Sequence, residues 1–247
     1  MGFFDLFSKC VQAFVLPQEC VVCSEPVCEP DWSPLCGSCR VRLREPSGIR
    51  CRLCGLLLTL LDEGGCCGRC LREDPGFDRV ATAGDYRGAL RQVLHGYKFG
   101  GHRRLAGPLA QLIARVYRAE LANGTWDCLI PIPIHPRRLR SRGFDQVGRL
   151  CRYLEPDVGL PLLDVVVRVR PTLPQRGLTV DQRRRNLHQA FRLRAQPGVR
   201  DALIVDDILT TGATAREIAG LLRSSGVRQV GVLTVARTPV WRGEANG

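Results

Sequence analysis

Residues 202–214 read ALIVDDILTTGAT. Four apolar residues at 202–205 predict a buried strand, and two adjacent carboxylates, Asp206 and Asp207, stand at its exit. A short loop of Thr210, Thr211, Gly212, Ala213 and Thr214 then leads into a helix predicted over 214–224, with Ile218, Leu221 and Leu222 on one face. Backbone N–H groups at a helix start, flanked by threonine hydroxyls, suit a phosphate dianion. Gly212 permits the tight turn that brings the backbone close. Two carboxylates beside that cradle would repel the phosphate, so they are expected to face something else. Vicinal sugar hydroxyls about one ribose length away, with Mg²⁺, meet that demand. An aspartate pair that only caps the helix is the plainer reading, but capping needs one such residue, and the Thr-Thr-Gly-Ala-Thr run goes beyond it.

Outward from this stretch, strands and helices alternate. Strands are predicted at 79–86, 126–134, 161–168, 201–206 and 229–235. Helices are predicted at 88–99, at 103–121 with a break near Gly107-Pro108, and at 143–154. Alternation of this kind predicts an α/β fold with a doubly wound, mostly parallel sheet, whose sites lie at the carboxyl ends of strands.

The front of the chain is different. Eleven of the 13 cysteines lie in the first 70 residues. Eight form CxxC pairs: Cys20/Cys23, Cys36/Cys39, Cys51/Cys54 and Cys67/Cys70. The pattern C-x2-C-x12-C-x2-C therefore occurs twice, offset by 31 residues. A CxxC turn lets two sulfurs reach one ion, and two such knuckles complete a tetrahedral thiolate shell for zinc. The metal then replaces the core that so short a segment cannot build. Disulfides do not suit a chain read as cytoplasmic, and four pairs exceed what a redox motif needs. One or two structural Zn ions are expected. Interleaved pairing of Cys20/Cys23 with Cys51/Cys54 stays open, as does replacement of Cys67 by Cys66. Asp74-Pro75-Gly76 reads as the closing turn, so residues 1–76 are expected to hold an N-terminal helix and a double zinc ribbon, and 77–247 the larger domain.

The 247 residues are 45% apolar and 24% charged, with a mean hydropathy of -0.06, which excludes disordered and membrane-embedded classes. The apolar run at 129–134 is far short of the roughly 20 residues of a spanning helix. Residues 1–17 read as an amphipathic helix rather than a secretory signal, because Asp5 and Lys9 interrupt the apolar stretch. Net charge is +12, and residues 135–200 hold fifteen arginines against five acids. Charge so concentrated points to an anionic partner, a small-molecule phosphate or a nucleic-acid backbone, unless it is only the solvated surface of an arginine-rich protein.

Residues 206–214 resemble the phosphoribosyl-pyrophosphate (PRPP) motif of type I phosphoribosyltransferases. Pro131-Ile132-Pro133-Ile134, Arg142-Gly143-Phe144-Asp145-Gln146, Tyr97-Lys98-Phe99, the stretch 172–191 and the cysteine-rich front are similar to segments of the ComF family, so the resemblance covers nearly the whole chain. Asp145 and Gln182 depart from it, standing where that family usually has Asn and Glu. The resemblance implies a type I phosphoribosyltransferase-like domain behind a zinc-ribbon domain. It implies that Asp206 and Asp207 hold ribose hydroxyls and that Thr210, Thr211, Gly212, Ala213 and Thr214 hold the 5-phosphate. Pro131, Ile132, Pro133, Arg142 and Lys98 would meet the pyrophosphate, and Arg183, with Asn186, would lie on a mobile cover. It further implies Mg-PRPP as ligand, a cytoplasmic role in DNA uptake, natural transformation or DNA processing, and single-stranded DNA with helicase or recombination partners. An active phosphoribosyltransferase of nucleotide salvage or biosynthesis is the other reading, and no residue identifies its acceptor.

Overall fold

The structure, a computed structural model, describes residues 18–27, 34–43, 48–58, 64–170 and 190–239. At the front, β1 (Gln18–Glu19) pairs antiparallel with β2 (Pro26–Val27). Two short helices, α1 (Gly37–Arg42) and α2 (Gly68–Arg72), start at cysteines, Cys36 and Cys67. The rest of the chain runs β3 (Arg79–Thr82), α3 (Gly88–Phe99), α4 (Ala106–Val116), β4 (Cys128–Pro131), α5 (Pro136–Arg142) and α6 (Gln146–Val158). It continues with β5 (Val166–Arg168), β6 (Phe191–Leu193), β7 (Asp201–Leu209), α7 (Ala213–Ser224) and β8 (Gln229–Arg237).

Strands β3, β8, β7 and β4, in that order, form one parallel sheet. Side chains alternate across it, so each face needs its own cover. Leu203 and Val205 of β7 pack with Leu233, Leu94, Ile113 and Leu150 on one side, under α3, α4 and α6. Ala202 and Ile204 pack with Val230, Val232, Ile218 and Leu222 on the other, under α7. The expected doubly wound α/β arrangement is what the chain forms.

Several boundaries differ from the sequence reading. The predicted break near Gly107-Pro108 is instead a helix start: α4 begins at Ala106, where a proline's missing N–H would be unpaired anyway. The predicted helix 143–154 begins at Gln146 and runs to Val158. Before it lies a helix the periodicity did not reveal, α5, closed by Gly143 in the left-handed conformation (φ 71°). The stretch 161–168 gives the main sheet only a bridge between Leu162 and Leu129, and its Val166–Arg168 end pairs antiparallel with β6. β7 is longer than expected. β4 stops at Pro131, opposite Val205, and β3 stops at Thr82, opposite Thr234, while β7 continues to Leu209 against β8 alone. Asp206 and Asp207 therefore lie inside an overhanging strand at the carboxyl edge of the sheet.

The expected helix at 1–17 and the stretch carrying Gln182, Arg183 and Asn186 lie outside the described residues. No helix among the described residues is long and apolar enough to cross a membrane.

Candidate functional site

Two sulfur clusters occupy the front. The thiols of Cys20, Cys23, Cys36 and Cys39 lie within 4.8 Å of one another, and those of Cys51, Cys54, Cys67 and Cys70 do the same. Pairing is thus sequential rather than interleaved. Cys66 stays outside the second cluster, buried, with its Sγ accepting from Arg52 Nε at 3.2 Å. In each cluster a backbone N–H donates to a sulfur across the site, Cys36 N to Cys20 Sγ at 3.5 Å and Cys67 N to Cys51 Sγ at 3.2 Å. The Ser38 hydroxyl holds the Cys36 thiol down at about 6, whereas burial pushes Cys54 up to about 12 and raises Cys39 and Cys70. Four thiolates this close repel one another, and a divalent cation relieves that conflict. The donor set fits structural zinc.

A second region is a cleft of about 240 Å³ at the carboxyl edge of the sheet. It gathers Lys98 from α3, Ile132 and Pro133 beyond β4, Arg142 from α5, Asp206 and Asp207 from β7, and Thr210, Gly212 and Thr214 ahead of α7. Asp207 is 5% exposed, and Lys98 Nζ donates to its Oδ1 at 2.7 Å. Its other oxygen, Oδ2, is buried and accepts from no protein group. Asp206 Oδ1 accepts from the Asp207 N–H at 2.8 Å. Burial, then the charge of Asp207, pushes the Asp206 carboxyl up to about 8, with Lys98 pulling the other way. At the start of α7, Gly212 is left-handed (φ 80°) and supplies no side-chain cap. Its Cα faces Phe77, so a Cβ there would sit 3.3 Å from the ring. The glycine-led start of α7 and the Asp206–Asp207 pair line the same cleft, an arrangement that can offer backbone amides to an anion on one side and carboxylates to hydroxyls or a cation on the other.

The remaining sequence candidates lie elsewhere. Pro131 is buried at the end of β4 and lines a neighbouring cavity. Thr211 turns to the opposite side, toward Cys54 and Cys70, and its hydroxyl lies 3.4 Å from the Ala213 N–H. Asp145 caps α6, accepting from Gly148 N at 3.1 Å, and burial raises its carboxyl. An acid at that position serves a helix start rather than repelling a ligand from inside the cleft.

Sequence reasoning missed His135, Arg138 and Arg168 in the same cleft. His135 Nδ1 accepts from Arg137 N at 3.1 Å, and burial with the surrounding arginines lowers its pKa. Burial brings Arg168 down to about 10. These residues carried no spacing signal, because they come from a short unpredicted helix and a strand outside the sheet. Arg142 stacks over the exposed ring of Phe99 at 4.9 Å.

Comparison with known proteins adds an independent line. The phosphoribosyl transferase domain family matches residues 102–245. The chain is 34% identical to the DNA utilization protein YhgH of Escherichia coli O157:H7 over 227 residues, 90% of this chain and 98% of that one. It is 32% identical to competence protein F of Haemophilus influenzae over 82% of this chain and 90% of that one. Competence protein ComFC of Streptococcus pneumoniae is 27% identical over 62% and 65%. A hypoxanthine phosphoribosyltransferase of Staphylococcus aureus aligns at 19% identity and a TM-score of 0.32, over 52% of this chain and 63% of that one, too loosely to support any conclusion.

Proposed function

The chain belongs to the ComF family, whose members carry a phosphoribosyltransferase domain, and from that premise we propose that its cleft binds PRPP or a related sugar phosphate with Mg²⁺. The observation that carries this reading is the buried, unpaired Oδ2 of Asp207 beside Asp206, in the same cleft as the glycine-led start of α7. Asp206 and Asp207 take the ribose hydroxyls, directly or through Mg²⁺. The 210–214 loop takes the 5-phosphate, and Lys98 and Arg142 supply positive charge toward a leaving pyrophosphate. Lys98 is paired with Asp207, so ligand entry would exchange one charge partner for another. Residues 1–76 act as the zinc-binding front of this domain, and the relatives named for DNA utilization and competence support a role in handling DNA.

Calorimetric titration of Mg-PRPP tests the reading. Wild type is expected to bind, and the double variant Asp206→Asn, Asp207→Asn is expected to lose binding. A folded, zinc-loaded wild type that takes up no heat would sink it. Pyrophosphate release with a panel of nucleobases separates a transferase from a binding protein.

One observation supports a second contact, with single-stranded nucleic acid. Phe99 is 62% exposed and capped by Arg142, next to the arginine-rich α5. An exposed ring with a guanidinium stacked on it suits base stacking once the guanidinium swings aside. Single-strand affinity is expected to fall steeply with salt and to weaken in Phe99→Ala.

A further inference from the structure

Arg237 ends the central strand β8 and is 4% exposed. A buried guanidinium must find acceptors for its fixed fork of donors. Here Nε donates to the backbone carbonyl of Cys54 at 2.7 Å. Nη1 reaches the carbonyls of Leu209 at 3.0 Å and Thr238 at 3.0 Å, and also that of Thr210. One side chain therefore joins a knuckle of the second cysteine cluster to the first residues of the 210–214 loop. Neither end is loose. Gly55, next to that knuckle, packs so closely on the sheet that a Cβ would lie 2.9 Å from Val80 Cγ1. Arg216 of α7 donates to the carbonyls of Pro75 at 3.0 Å and Asp74 at 2.6 Å, just past α2. Phe77 fills the space under Gly212. The loop thus rests on the cysteine-rich front as well as on the sheet.

We propose that Arg237 is a positioning residue that ties the conformation of the 210–214 loop to metal occupancy of the second cysteine cluster, and of that cluster alone. Metal held by Cys51, Cys54, Cys67 and Cys70 fixes where the Cys54 carbonyl stands. That carbonyl orients the guanidinium, and the guanidinium aligns the carbonyls of Leu209 and Thr210 so that the start of α7 presents its amides to the cleft. Among the described residues the first cluster has no such link, and it packs against α3 on the other flank. The effect on ligand affinity rests on the reading of this loop as the phosphate subsite, whereas the effect on the loop itself does not.

Two amides report the loop without any ligand. Thr238 N donates to Leu209 O at 3.0 Å, and Arg216 N donates to Gly212 O at 2.8 Å. Site-resolved hydrogen exchange on the zinc-loaded full chain compares wild type with Arg237→Lys, Cys70→Ser and Cys23→Ser. Arg237→Lys keeps the charge and loses the fork, while Cys70→Ser opens the second cluster without touching Arg237. Both are expected to speed exchange at Thr238 and Arg216 about tenfold, the effect of losing one charge-assisted hydrogen bond, and to leave Ile204 and Val232 in mid-sheet unchanged. Cys23→Ser is expected to leave all four at wild-type rates. Equal acceleration by Cys23→Ser, acceleration across the whole sheet, or wild-type rates in Arg237→Lys would each overturn the proposal. Wild-type rates in a folded Cys70→Ser would likewise overturn the metal link, and if that variant does not fold, Cys67→Ser takes its place with the same two outcomes.

Mg-PRPP affinity provides a second readout, expected to drop about tenfold in Arg237→Lys. A wild type that does not bind Mg-PRPP removes the sugar-phosphate reading and leaves the exchange result to judge the clamp.

Discussion

The two cysteine clusters share one spacing and are attached to the molecule by different physics. The first is docked by apolar packing. Cys20, Val27, Leu35 and Cys39 belong to the same buried cluster as Leu94 and Tyr97 of α3, and Gly96 leaves room for Val21. The second has a small apolar cluster of its own and docks through polar groups. Arg237 holds the Cys54 carbonyl, Val80 N donates to Arg52 O at 2.8 Å, and Arg50 pairs with buried Asp85 at 2.8 Å. Apolar contact is non-directional, so it fixes where a piece lies more firmly than at what angle. Hydrogen bonds to a planar guanidinium fix both. The same repeat thus serves as a wedge on the Lys98 helix and as a hinge pin under the 210–214 loop.

That contrast can be attacked at several points. Metal removal by a chelator is the strongest challenge, because structural zinc contributes about 10–16 kcal/mol to folding of a small site. Amides in both knuckles are expected to lose protection, while mid-sheet amides keep theirs, read by hydrogen exchange. Equal protection before and after chelation would remove zinc from both roles. Next comes Arg50→Ala, which leaves Asp85 buried with only the exposed Arg87 beside it, 3.2 Å away. Denaturant unfolding is expected to show a loss of about 3–5 kcal/mol. A loss under about 1 kcal/mol would place this pair among ordinary surface ion pairs.

Gly96→Ala probes the apolar dock. Its Cβ would lie 2.7 Å from Val21 Cγ1, and overpacking of this kind costs about 1–3 kcal/mol. The expected result is lower stability with unchanged exchange at Thr238, since the loop rests on the other cluster. The mildest test is pH. Asp206 is held near 8 in the fold, well above an unfolded carboxylate, so it stabilises the native state fully below about pH 4 and loses that contribution as pH rises through about 8. Asp206→Asn imitates the protonated form. Its melting temperature is expected to exceed that of wild type by about 2–4 °C at pH 9, the shift that about 1 kcal/mol produces at this size, and to converge with it at pH 4. On the proposed sugar-phosphate reading, the same ionisation is expected to raise Mg-PRPP affinity with pH in wild type and not in the variant.

Much of the molecule could be read directly. The 202–214 stretch carried its strand, its carboxylates and its glycine in consecutive residues, where local chemistry and tertiary role coincide. The cysteine spacing was equally direct, because a tetrahedral shell demands a short knuckle. The misses share a cause. α5 buries none of its residues and is too short to show a period, so nothing apolar marked its face. Residues 161–168 look apolar enough for the sheet, yet after one bridge at Leu162 the chain leaves to pair with β6. Asp145, which departs from the family's usual Asn, is a helix cap, a role set by the fold around it.

The sequence by itself determined the glycine-bearing strand-to-helix turn, the two cysteine quartets and the alternation that builds a parallel sheet. Each of these is set by neighbours along the chain, through period, spacing and turn geometry. Only the tertiary structure decided that Lys98 spends its charge on Asp207, that the quartets close sequentially, and that Arg237 bridges one of them to the loop. Those contacts span 109 residues for Lys98 and 183 for Arg237, and no local pattern encodes which buried charge will meet which carbonyl once the sheet has closed.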